Sequence, residues 1–137
     1  MDKSCCAIWA PRLTSLIRIG AGYMLLIHGT AKLFGTPHVG AFEHLQVLSL
    51  FGIAGIIELI GGALLLLGLF GRPAAFVLSG LGAAAYLIGH VGASGHFLLP
   101  ILNKGEAALL YSFVCFLLFL YGPGSWSLDA LIRGKKE

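Results

Sequence analysis

From Leu50 to Phe70 the chain is built of Leu, Ile, Ala, Gly and Phe and carries a single charge, Glu58. An unbroken apolar run of this length is the signature of a helix that crosses a membrane. Because its hydrophobicity is continuous and does not alternate, it excludes a β-barrel. A carboxylate inside such a helix costs about 2.5–3.5 kcal/mol on insertion scales, so it is expected to face protein or water and to mark a site. Three and four residues from Glu58 lie Ala54, Gly55, Gly61 and Gly62. Small residues on one stripe let another helix come close. Glu58 is therefore expected to look inward, into a tight helix–helix contact.

The rest of the chain has the same character. Of 137 residues, 58% are hydrophobic and 11% charged, and the mean hydropathy is +0.92, whereas a soluble domain is about 25% charged. The expectation is an all-α integral membrane four-helix bundle forming one domain over residues 1–137, with spans near 13–33, 48–70, 73–91 and 106–121. The first span is not expected to be a cleaved signal peptide, because it is long, contains Arg18 and lacks an Ala-x-Ala site. Lys3, Arg12, Arg18, Arg72, Arg133, Lys135 and Lys136 fall on one side of this arrangement, and only Lys32 and Lys104 on the other. The positive-inside rule then places both termini in the cytoplasm, with Trp9 and Trp126 at the inner interface of a multi-pass inner-membrane protein. The net charge of +3 reflects this topology and calls for no nucleic-acid partner. Cys5 and Cys6 are adjacent and lack the spacing of a zinc site. They are expected to be inert, as is Cys115 within the fourth span.

The loop Gly71-Arg72-Pro73 is expected to join spans two and three as an antiparallel hairpin. Between Gly35 and Val47, Phe42 and Leu45 share a helical spacing with Leu48, which suggests a short helix on the membrane surface.

All five histidines, His28, His38, His44, His90 and His96, map to the outer half or the outer loops, along with Lys32, Lys104, Asn103 and Glu106. His28 and Lys32 share a helix face. Tyr86, His90 and Ser94 form a second polar stripe. Polar groups from all four spans thus converge near Glu58, with His28 or His90 expected as its direct partner ahead of Lys32. Bland alternatives stand beside this. Glu58 could belong to a buried pair that fixes helix register, Lys32 could snorkel to the surface, and Asn103 with Glu106 fits an N-terminal capping box. Arg18 and Asp129 are expected to form a structural ion pair between the first and last helices.

These residues carry a resemblance. Arg18-Ile-Gly20 with His28-Gly29-Thr-Ala-Lys32-Leu-Phe-Gly35 resembles the first-helix motif of the DoxX family. Glu58-Leu-Ile-Gly61-Gly62 with Leu67-Gly68-Leu-Phe-Gly-Arg72 is similar to its second. His90, Asn103-Lys-Gly105-Glu106 and the segment from Tyr121 to Asp129 complete the pattern. The resemblance implies a four-helix inner-membrane protein similar to the DoxX, DoxD and MauE-like proteins, whose members serve several functions.

On that basis the first functional expectation is a redox-associated subunit that binds a quinone or similar amphiphile between the helices. In it Glu58, His28 and His90 would handle protons, and Lys32, Asn103, Glu106 and Tyr86 would hold the headgroup. No haem, flavin or metal motif is present, nor a Cys-x-x-Cys pair, so electrons would come from a partner protein. The alternatives are a non-enzymatic assembly or cargo protein, possible as an oligomer, and a small-molecule or metal transporter using the outer histidines.

Overall fold

The computed structural model describes the backbone of residues 3–134 and the side chains of residues 7–134. The readings made for Cys5, Cys6, Lys3, Lys135 and Lys136 fall on side chains outside the described residues. Among the described residues the chain is all-helical. Its long helices are α1 (Lys3–Phe34), α2 (Leu50–Leu67), α3 (Gly71–Ser94) and α4 (Glu106–Tyr121), followed by the short α5 (Leu128–Gly134). Two of them, α2 and α3, are long and apolar enough to cross a membrane, and α4 is apolar but shorter.

The helix ends depart from the limits that hydropathy suggests: α1 and α3 run beyond them, and local chemistry stops α2 short of them. Ser49 caps α2, its hydroxyl accepting from the Gly52 amide at 3.2 Å, so the helix begins at Leu50. It stops at Leu67 because Gly68 turns left-handed (φ 69°), while the Leu69 amide donates back to the Leu64 carbonyl at 3.0 Å. The connection to α3 is consequently Gly68–Phe70, and Gly71, Arg72 and Pro73, expected as loop, already form the first turn of α3. The loop between α1 and α2 holds a 3-10 turn, Gly40–Phe42, where an amphipathic surface helix was expected.

The long helices pack as two close pairs, α1 with α2 and α3 with α4. The first pair approaches backbone to backbone. A Cβ placed on Gly62 would lie 2.6 Å from the Leu26 amide nitrogen, so only glycine permits this separation. In the second pair the Ser79 hydroxyl donates across to the Ser112 carbonyl at 2.9 Å. A small core of Ala21, Leu25, Leu65, Ala75, Leu78 and Leu118 joins the pairs, with the buried thiol of Cys115 among them.

Around this core the exterior is unusually apolar. Ser15, Arg18, Glu58, Ser79, Asn103 and Ser127 are buried, whereas Leu16, Phe76, Val77, Phe113, Leu117 and Leu120 are exposed.

At one end of the molecule, Arg18 and Asp129 organise the α2–α3 corner, though not as the expected ion pair. Arg18 is buried and donates only to carbonyls: Leu65 and Leu66 at 2.6 Å, Trp126 at 2.5 Å and Pro123 at 2.7 Å. Asp129 accepts from the Phe70 amide at 3.0 Å and the Gly71 amide at 2.8 Å. The guanidinium fork matches several acceptors at once, and the last carbonyls of a helix are such acceptors. The cation thus sits at the C-terminal end of α2 and the anion at the N-terminal end of α3, each matched to its helix dipole. The two residues do clamp the ends of the chain together, but each does so through backbone.

Candidate functional site

At the opposite end a cavity of about 480 Å³ lies between the two helix pairs. Its walls come from all four long helices and are mostly Leu, Ile, Ala and Phe, with the polar groups His28, Lys32, Glu58, His90, Lys104 and Tyr111.

Glu58 is buried in this wall, and its direct partner is Lys32. The ammonium donates to both carboxylate oxygens at 2.7 Å, and each side chain is about 10% exposed. This corrects the expectation that His28 or His90 would be the partner. The reason lies in the α1–α2 contact, where a Cβ on Gly55 would stand 3.0 Å from the Cβ of Lys32. The stem of Lys32 therefore lies along α2, and its head reaches Glu58 one turn further on. Phe42, from the loop between α1 and α2, places its ring 5.6 Å from the Lys32 nitrogen, so the cation is held between a carboxylate and an aromatic face.

His28 lines the cavity and meets Tyr111 of α4 edge to face, with ring centroids 6.2 Å apart. His90 lines it from α3. Its Nδ1 is 3.0 Å from the Asn103 carbonyl. A carbonyl only accepts, so Nδ1 carries the proton, and in the neutral ring Nε2 is left as an acceptor. His90 lies in a π-helical stretch, Ala85–Val91, within α3. Such segments displace side chains from the regular helical register and occur often at functional sites.

Three of the expected headgroup residues, Tyr86, Asn103 and Glu106, lie outside the cavity lining, and the first two support this end of the molecule. The Tyr86 hydroxyl donates to the Phe97 carbonyl at 2.5 Å. Asn103 is buried, donating to the His96 carbonyl at 2.8 Å and accepting from the Gly105 amide at 2.7 Å. It does not form the capping box with Glu106, because Gly105 occupies the N-cap position of α4 and Glu106 is exposed. The net effect is a pinned loop: Tyr86 and Asn103 hold residues 96–105 against the π segment. Among the described residues no cluster of His, Cys, Asp or Glu is arranged to hold a metal.

Tyr111 and Phe42 were not singled out from sequence. The signal for Tyr111 was its place one helical step from Ala107 and Ala108, small residues that open that face. Phe42 was legible only as an apolar position of the expected surface helix, not as a neighbour of Lys32.

The DoxX family profile matches residues 13–91, from α1 to the end of the π segment in α3, and so takes in Lys32, Glu58 and His90. An uncharacterized protein of Haemophilus influenzae is 43% identical over 130 residues, covering 88% of this chain and 91% of that protein. No solved structure matches the chain. With more than half of its length under the family profile, and its paired lysine and glutamate within that half, the chain belongs to the DoxX family.

Proposed function

We propose that this protein is a multi-pass inner-membrane protein whose cavity binds an amphiphile with a hydrogen-bond-accepting headgroup, a quinone being the chemistry that fits best. The observation that carries the reading is the cavity itself, an apolar chamber with its polar groups gathered from four helices. Ligand sites are commonly apolar chambers with a few convergent polar groups. The large apolar side chains exposed on the long helices support the bilayer as its solvent.

A quinone offers two carbonyl acceptors. Glu58 and Lys32 are engaged with each other, so the donors free to meet a headgroup are the Tyr111 hydroxyl, the Lys104 ammonium and the His28 ring N–H. Nε2 of His90 is the acceptor that would receive a proton from a quinol. In this reading the ion pair holds the wall of the site and fixes the register of α1 on α2. A redox-associated role requires a partner protein to supply or take electrons. The same mutual satisfaction of Lys32 and Glu58 favours a second reading, an assembly or cargo protein in which the pair is purely structural.

Titration of the purified protein with a short-tailed ubiquinone, followed by calorimetry, separates the two. Saturable binding is expected, weakened roughly three- to tenfold by Tyr111→Phe or Lys104→Met, the effect of losing one hydrogen bond of about 0.5–1.5 kcal/mol. Both variants leave the buried ion pair intact. A folded protein that shows no saturable binding sinks the quinone reading and leaves the assembly role.

A further inference from the structure

On α2, the residues facing α3 form an uninterrupted stripe. Leu50, Ile53 and Ala54 line the cavity, Ile57 lines both the cavity and a second depression, and Ile60 and Leu64 line the second depression alone. The facing stripe on α3 runs the other way, with Ala74 and Val77 in the depression and Leu81, Ala85 and Ile88 in the cavity. Both follow the three- and four-residue steps of one helix face. The two hollows therefore lie end to end along one seam between antiparallel helices and adjoin at Ile57. The depression, towards the α2–α3 corner, has a volume of about 350 Å³ and no charged residue in its lining. From Leu50 to Leu64 the seam is about 21 Å long at 1.5 Å per residue, roughly two-thirds of the ~30 Å hydrocarbon core of a bilayer.

We infer that the ligand is a long-tailed amphiphile that enters sideways between α2 and α3, with its head in the cavity and its tail along the Ile57–Ile60–Leu64 groove. The inference rests on the amphiphile reading above and adds to it the ligand class and the route. Three observations bear on it. The groove adjoins the cavity, with Ile57 in the wall of both. Its rim residues Ile60 and Val77 are exposed, so it is open to the surroundings along its length. The polar groups are confined to the cavity end, which fixes the direction in which an amphiphile lies.

In a membrane the tail passes from lipid hydrocarbon to protein hydrocarbon, so its binding there is a matter of fit and not of water release. Filling the groove is therefore the sensitive test. Ile60→Trp and Val77→Trp add bulk at exposed positions and leave the buried core untouched. Binding of decylubiquinone and of a short-tailed ubiquinone is compared in the unmodified protein and both variants. The expected result is a loss of about tenfold for the long-tailed ligand, the size of a modest overpacking clash, with short-tailed binding unchanged. Equal behaviour of the two ligands in the variants overturns the groove while leaving the cavity reading standing, as does a change in oligomeric state without a change in tail selectivity. Failure of the unmodified protein to bind either ligand overturns both.

Discussion

Glu58 was legible as a site because a lone carboxylate in an apolar helix must be satisfied by something. What satisfied it was not legible. The distance from Lys32 to Glu58 depends on how deeply α1 sinks into α2, and that is set by glycines whose effect is felt only once both backbones are in place. The paired geometry makes a sharp energetic statement. Removing one member of a buried pair leaves an uncompensated charge and costs about 3–5 kcal/mol, whereas replacing both with apolar groups is often neutral or stabilising. Glu58→Leu and Lys32→Met should therefore each lower thermal stability markedly, and the double variant should recover most of the loss. Melting curves of the four proteins in one detergent check this. If the two single losses simply add in the double variant, the pair contributes no coupling. Arg18 and Asp129 teach the complementary lesson. Both were recognised as residues that clamp the chain, but opposite charges suggested each other as partners, and nearby helix termini proved the better acceptors and donors.

At the scale of elements, the four apolar runs gave four long helices in the expected order; caps moved the ends of α2 by two or three residues, while α1 begins ten residues ahead of its expected span. Two features had no pattern to announce them. The first is the α2–α3 corner, held by Arg18 against the carbonyls of Leu65 and Leu66 and by Asp129 against the amides of Phe70 and Gly71. Arg18→Lys keeps the charge but offers one compact ammonium in place of a fork that serves four carbonyls. With buried carbonyls left unpaired at about 1–3 kcal/mol each, a loss of roughly 2–4 kcal/mol is expected on thermal unfolding. An unchanged melting temperature would show that water replaces the lost donors. The second is the π stretch Ala85–Val91, which no period in the sequence reveals, because the extra residue changes the register without changing the composition. Deleting Gly89 should restore a plain α-helix and swing His90 by about 100°. Circular dichroism is expected to show helix content retained, while ligand binding falls with the loss of the His90–Asn103 contact. Retained binding would show that the π geometry is incidental to the site.

The whole molecule has two ends of different chemistry, and their order across the bilayer is the property on which every larger claim depends. One end holds Arg18, Asp129 and the tied C-terminal segment; the other holds the cavity, with Lys32, His90 and Lys104 in its wall. α1 is 32 residues long, about 48 Å at 1.5 Å per residue, well beyond a hydrocarbon core of ~30 Å. In the proposed bilayer placement its N-terminal turns, with Arg12 and the exposed Trp9, would extend into the headgroup region at the arginine-rich end. There the Arg12 guanidinium lies 5.3 Å from the Trp9 ring centroid. Lysine and arginine are retained on the cytoplasmic side, and more of them lie at this end than at the cavity end. A green fluorescent protein fused after residue 137 is thus expected to fluoresce, and an alkaline phosphatase fused at the same place to be inactive. A phosphatase fused within residues 36–41, at the cavity end, should be active. The opposite pattern would turn the cavity towards the cytoplasm, because the helices fix which groups share an end whatever the orientation. The lateral seam between α2 and α3 would then still open to lipid, but a headgroup in the cavity would exchange protons with the cytoplasm through His90 instead of with the outer side. Orientation therefore decides which compartment the site serves, and the fusion pair reads it without any assumption about the ligand.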